Sequence, residues 1–225
     1  MRLDDRVTAD RVTDEAGRQQ VLAVLRATYL REKRWVNDPE TQFPPADLGH
    51  DDVSWFVVAV RTRPIGVRVR PAGVVRVVYD PPLAAYASYG FAPLDPSLRI
   101  EEMIRDNRIA EIGRFAVVPR FRRRLVVAAA LMRAAAAETV ARGYTHYLTD
   151  VFEDDPHSPY GFHTRVMGFH PVATHDVGEL NCPSRRITLV LDLKAAYQRL
   201  KARGNWLFRY LTGHWDDALH RRLVA

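Results

Sequence analysis

The 225-residue chain has a single cysteine, Cys182. One thiol excludes a disulfide framework and any cysteine-built metal site. It fits a reducing compartment. No window reaches the roughly 18 uninterrupted apolar residues of a membrane span. The opening stretch MRLDDRVTADRVTDEAG has no apolar core of the signal-peptide kind. The expectation is therefore a soluble, cytoplasmic protein. There is no internal repeat and no low-complexity linker. What remains is 47% hydrophobic residues, 27% charged residues and a net charge of +6. That is enough apolar content for one sizeable core. The basic balance fits nucleic acid, anionic lipid, a phosphate-bearing cofactor or an acidic protein.

Thr13 reads as a helix cap, followed by apolar residues at Val21, Leu22, Val24, Leu25, Tyr29 and Leu30 in helical spacing. NDPETQFPPADLGHDD reads as loop. VSWFVVAV and GVVRVVYD are β-branched runs of a strand meander, separated by RTRPIGVRVRPAG. PPLAAYASYGFAPLDPSLR is a loop and IEEMIRD a short helix. AEIGRFAVV is a strand ended by Pro119. Leu125 to Arg142 is a helix stopped by Gly143. YTHYLTDV and RRITLVLDL are strands, with a short helix ending at Gly168 between them. The tail from Lys194 is helical. The order predicts a mixed α/β layer with one central crossover.

The densest charge lies where the strand before Pro119 meets the long helix. Arg120, Arg122, Arg123 and Arg124 cluster there. A tight turn opening a helix leaves free N–H groups and a favourable dipole, which together make an anion site. Guanidinium forks suit phosphate oxygens. The helix itself is polar only at Arg133, Glu138, Thr139 and Arg142, so it must pack on the sheet.

FAVVPRFRRRLVVAAALM resembles the acyl-CoA-binding motif of the GNAT (Gcn5-related N-acetyltransferase) superfamily. Val118, Pro119, Phe121 and Arg122 stand at its valine, proline, aromatic and arginine places. FHTRVMGFHPV resembles a later element of the same superfamily. Arg123, Leu125 and Val127 replace the motif's three glycines, and bulky residues there hinder close backbone approach to a pyrophosphate. EIGRFAV is similar to a stretch of autoinducer (acyl-homoserine-lactone) synthases and of long-chain N-acyl amino acid synthases, with Gly113 at their serine. VVRVVYD resembles their strand carrying an arginine, here Arg76. The resemblance spans about residues 14 to 193. It implies a GNAT-like, mostly antiparallel sheet with a splayed parallel strand pair, flanking helices and a C-terminal helical tail. Residues 1–193 would form the acyltransferase domain and 194–225 an extension packed on it.

The implied activity is N-acyl transfer from a pantetheine thioester, on acyl carrier protein or acyl-CoA, to the amine of an amino acid or other small molecule. Acyl carrier protein is acidic, which suits the arginine cluster. Phe115, Val117 and Val118 would line the thioester, with an N–H near Val117 polarising its carbonyl. VVAAALM would line an acyl pocket. Glu111 is the candidate base, or else a structural ion-pair partner of Arg114. Arg114 falls on the opposite face from Glu111 in a regular strand, and a bulge would change that. Tyr160 and His163 are the candidate acids for the leaving thiolate. Trp35 stands near an acceptor-pocket position, with Arg76 and Arg114 organising carboxylates. The acidic loop DVFEDDPHSPYGFH matches no metal-binding pattern, and no metal is expected.

Two other readings stand beside this one. An acetyl-CoA-dependent acetyltransferase would share the fold, although the lost glycines weigh against it. A catalytically silent basic module could bind nucleic acid or an anionic membrane through its arginines and the KARGNWLFRY stretch. No nucleic-acid motif is present. The sequence leaves acyl length and oligomeric state open.

Overall fold

The computed structural model describes residues 7–62, 68–83, 89–97, 99–204 and 206–224. One sheet of eight strands organises them, in the order β1-β2-β3-β5-β6-β8-β7-β4. The strands are β1 (Val7–Arg11), β2 (Val53–Thr62), β3 (Arg68–Tyr79), β4 (Ala92–Pro93), β5 (Ile109–Val117), β6 (His146–Phe152), β7 (His170–His175) and β8 (Arg186–Asp192). The helices are α1 (Glu15–Leu25), α2 (Ile100–Asp106), α3 (Leu125–Ala141), α4 (Leu193–Arg203), α5 (Trp206–Thr212) and α6 (Asp217–Val224).

The β-branched run of β2 is buried on both faces. Trp55 stacks on Phe43, with ring centroids 4.5 Å apart, and the adjacent Ser54 points the other way and donates to Glu138 of α3 at 2.6 Å. This alternation sandwiches the sheet between α1 and α3. The near-continuous apolarity of α3 follows, since Val127, Ala129, Ala130, Leu131, Met132 and Ala135 are all fully buried. The α3 C-terminus stops at Gly143, whose φ of +78° is the left-handed conformation that favours glycine.

Sequence and structure differ at three places. The α1 cap is Asp14, not Thr13: its carboxylate accepts from the Gly17 N–H at 2.7 Å. α1 continues as a π-helix over Arg26–Glu32, and the short helix before Gly168 is also π-helical, over Phe162–Met167. Strands β1 and β7 carry no strand signal in the sequence, and neither does the two-residue β4, which lies in a stretch read as loop. They carry too few apolar residues, and β7 contains Pro171 beside a register shift. Residues 63–67 of the β2–β3 connection lie outside the described residues, as do 84–88 and 98 of the loop that follows β3.

All neighbouring strands are antiparallel except β5 and β6. That parallel pair is joined only at Ile109–His146, Ala110–Tyr147 and Glu111–Leu148. Beyond Glu111 the two strands part, and the site lies in this split.

Candidate active site

The split opens into a cleft of about 640 Å³, a size suited to a small-molecule ligand. Its lining includes residues 111–117 of β5, 149–152 of β6, and Thr28, Tyr29 and Trp35 from the end of the first helix and the loop after it. Phe162 and His163 close another side. Both π-helical segments thus contribute to the wall, as wide helical turns often do at functional sites.

Glu111 stands at the fork, on the last residue pair that joins β5 to β6. Its carboxylate takes an Arg76 Nη2–H at 3.1 Å. Gly113 keeps room for this pair: a Cβ there would lie 3.1 Å from Glu111 Oε1 and 3.2 Å from Arg76 Nη2. The β3–β5 ladder then skips a residue, pairing Val74 with Ala116 and Arg76 with Gly113. Arg114 adopts φ +52° at this bulge. The bulge turns its guanidinium into the cleft, where Nη2 donates to Glu179 at 2.5 Å and Nε to Gln42 at 2.8 Å. Arg76 lies 3.6 Å from the same Glu179 oxygen. The partner of Arg114 is therefore Glu179, and that of Glu111 is Arg76.

The charges in this cluster push on one another. Burial works against the Arg76 cation, yet Glu111 and Glu179 carry its pKa above the ordinary guanidinium value. Arg114 goes the other way, lowered by burial and then by the like charge of Arg76. Burial alone would raise Glu179, but the two arginines hold its pKa below the usual carboxylate value. Burial raises the Tyr29 phenol.

Of the arginines at the elbow, only Arg122 faces the cleft. It donates from Nε to the Val117 carbonyl at 3.0 Å and grips Glu32 with both terminal nitrogens, at 2.6 and 2.5 Å. Arg120, Arg123 and Arg124 are exposed, and Arg120 and Arg124 lie over the buried Phe121 ring. Arg124, at the N-cap of α3, offers the helix start no side-chain hydrogen bond. Val127, at a motif glycine position, points into the core and does not face the helix mouth. Because Val118 donates its N–H to Ala72 on β3 at 2.9 Å, strand alternation turns the Val117 N–H toward the split.

Trp35 lines the cleft against Phe152 at 4.3 Å and Tyr29 at 5.4 Å, with Lys33 over its ring and in an ion pair with Asp155. His163 is fully buried among Phe115, Phe162 and Phe169, and burial depresses its pKa to about 3. At neutral pH it offers a neutral N–H, not an imidazolium proton. Tyr160 is 38% exposed and does not line the cleft, so the structure does not bring it to the site. Of VVAAALM only Ala128 reaches the cleft. The rest of that run packs into or against the core.

Glu179, Glu32 and the His175–Asp150 contact at 3.2 Å beside the cleft carry no signal in the sequence. Each comes from a distant element and has no motif of its own. Among the described residues no group of three or more potential metal ligands forms. No helix among them is long and apolar enough to cross a membrane.

No curated protein matches the sequence. Many solved structures share the fold, among them the following three. FeeM, an N-acyl amino acid synthase from uncultured soil microbes, is 15% identical with a TM-score of 0.63, over 89% of this chain and 98% of FeeM. NAA60 of Arabidopsis thaliana, in complex with acetyl-CoA, is 13% identical with a TM-score of 0.57, over 83% and 98%. Apo FdhC, a nucleotide-linked sugar GNAT, is 12% identical with a TM-score of 0.51, over 88% and 93%. These likenesses establish the fold. Residues 22–169, well over half of the chain, match the profile of the acetyltransferase (GNAT) family. The split sheet thus has its explanation in descent: this chain belongs to the GNAT acetyltransferase family.

Proposed function

We propose that the protein is an N-acyltransferase that moves an acyl group from a pantetheine thioester, on acyl carrier protein or CoA, to the amine of an amino acid or another small molecule. The observation that carries this reading is the β5–β6 split, which opens at Glu111 and runs toward the basic elbow. The amine nitrogen attacks the thioester carbonyl carbon. A C–N bond forms, the C–S bond breaks, and the amine proton passes to Glu111 while the sulfur leaves and is protonated to thiol. Arg76 fixes one Glu111 oxygen.

Strand geometry orders the donor along β5. At about 3.3 Å per residue, Val117 lies roughly 20 Å from Glu111 and cannot serve the same carbon. The reacting carbonyl then belongs beside the bulge at Arg114–Phe115, where one residue leaves the ladder and an N–H is available to it. Val117 would hold the pantetheine arm further out, whereas Val118 is buried, spends its N–H on Ala72 and does not line the cleft. Arg120, Arg123 and Arg124, exposed around the elbow, would meet the acidic surface of a carrier protein. Neutral His163 would offer its N–H at the aromatic wall of the cleft. Residues 194–225 would serve as an extension of the same domain, since Leu207, Tyr210, Leu211 and Leu223 join its core.

The test is a panel of donors with free-thiol release as the readout. Long-chain acyl carrier protein or acyl-CoA should be consumed with an amine acceptor. Turnover of acetyl-CoA alone would assign ordinary acetyl transfer. No thioester turnover, with salt-sensitive binding to polyanions, would assign a silent binding module.

A further inference from the structure

The floor of the cleft holds two buried guanidinium groups, with side-chain exposures of 13% for Arg76 and 9% for Arg114. Glu111 balances the first. Glu179 balances the second, since Gln42, which also accepts from Arg114, is neutral. Glu179 differs from the other three members. Its side chain is 55% exposed, and it reaches the site from the loop between β7 and β8.

That loop is pinned on both sides of Glu179. Arg186 donates to the Asp176 carbonyl at 2.7 Å and to the Leu180 carbonyl at 2.8 Å, and the His175 ring bonds the Val177 carbonyl at 2.7 Å. Gly178 lets Arg186 lie against the loop, because a Cβ there would meet its Nε at 2.6 Å. The backbone therefore presents Glu179 from a fixed anchor, and its side chain can leave the arginines by rotation alone.

The arginines also have more donor capacity than Glu179 uses. One carboxylate oxygen serves both, at 2.5 Å from Arg114 and 3.6 Å from Arg76. Arg76 Nε is buried and has no hydrogen-bond partner among the described residues. Guanidinium groups favour two-point contact with carboxylates, which this arrangement does not supply. If Glu179 rotates out, two buried cations face one carboxylate, and that state demands another anion.

We infer that Arg76 and Arg114 form a carboxylate-binding subsite, that Glu179 occupies it as an internal stand-in, and that the acceptor is an amino acid whose free α-carboxylate displaces Glu179. An α-amino acid carries its amine one carbon from its carboxylate, and Glu111 shares Arg76 with the subsite. Seating the carboxylate on the arginines therefore presents the amine toward Glu111. The word acceptor rests on the acyl-transfer reading, whereas the carboxylate subsite does not.

The test is calorimetric titration of the whole protein, without thioester, using leucine, phenylalanine, their C-terminal amides and phenethylamine. Glu179→Gln should bind the two amino acids about five- to tenfold more tightly than wild type, because a competing carboxylate is gone. Amide and amine affinities should not change. Arg114→Gln should lose the preference for acid over amide, with the fold of each variant checked by its denaturation midpoint. Equal affinity for acid and amide in wild type and Glu179→Gln, weaker amino-acid binding in Glu179→Gln, or no binding by either protein would overturn the inference. Thioester consumption at equal rates with phenethylamine and phenylalanine would also overturn it, leaving acyl transfer intact. Acid-selective binding with no thioester consumption would instead support the subsite and refute acyl transfer.

Discussion

Replacing His163 with phenylalanine should flatten the acid limb of the stability profile. The ring is fully buried, both nitrogens lack a partner among the described residues, and its pKa falls from 6.5 to about 3. Between these values the unfolded chain binds a proton that the folded chain refuses. This linkage therefore costs nothing above pH 6.5, and stability is lost as pH falls below it. At pH 4.5 the difference is two pH units, or about 2.7 kcal/mol at 1.36 kcal/mol per unit. Three aromatic rings, with centroids 4.9 to 5.6 Å away, provide an environment that accepts phenylalanine. Urea denaturation of both proteins at pH 7.5 and 4.5 measures the effect. Packing differences act at both pH values and cancel, as do the carboxylates common to both proteins. Wild type should lose about 2.7 kcal/mol more than His163→Phe. Equal losses would refute the reasoning and mean that the ring titrates normally in the folded state. His163→Gln, also without a titrating group, should repeat the result.

Three further outcomes follow from the site. Glu111→Gln should remain folded but with a lowered denaturation midpoint, since an amide oxygen can still accept from Arg76 but no longer offsets its buried charge, and should lower the acyl-transfer rate by 10²- to 10⁴-fold; a wild-type rate in the folded variant would remove Glu111 from the chemistry. Charge reversal at Arg120, Arg123 and Arg124 together should raise KM about tenfold or more for carrier-protein donors at low salt, with little change for a pantetheine-only donor, because these side chains face outward. Equal effects on both donors would place the charges at the pantetheine, not at the carrier surface. Ala128→Phe should shift donor preference toward shorter acyl chains, by about fourfold per excluded methylene at 0.8 kcal/mol each, in a competition assay between chain lengths; an unchanged preference would put the acyl chain elsewhere.

The elements that organise the site were legible because their signals are local. A β-branched strand stopped by Pro119, an apolar helix and Gly143 in the left-handed region each follow from a few adjacent residues. The parallel pair and its split came from the family resemblance, not from periodicity. β1 and β7 escaped because hydrogen bonding to a neighbour, not apolar content, makes them strands. The bulge at Arg114 was visible only as a condition on which face the side chain takes. Its position depends on register with β3, which no single strand encodes. Glu179 was invisible for a related reason: 65 residues separate it from Arg114, and an exposed loop glutamate looks like any other. The arginine run was legible as charge. Its division into one clamped side chain and three outward ones depends on Glu32, 90 residues away from Arg122.

The two π-helical segments give the cleft a simple evolutionary adjustment. Each wide turn holds about one residue more than an α-helix would, so removing one residue from either restores ordinary winding. Such a loss would rotate the following side chains by about 100° about the helix axis. At Tyr29 or at Phe162 and His163 that rotation replaces one wall of the cleft while the sheet stays as it is. Relatives with different acyl or amine preferences can therefore arise through single-codon deletions in these helices, a coarser step than substitution and one that leaves the reacting strand untouched.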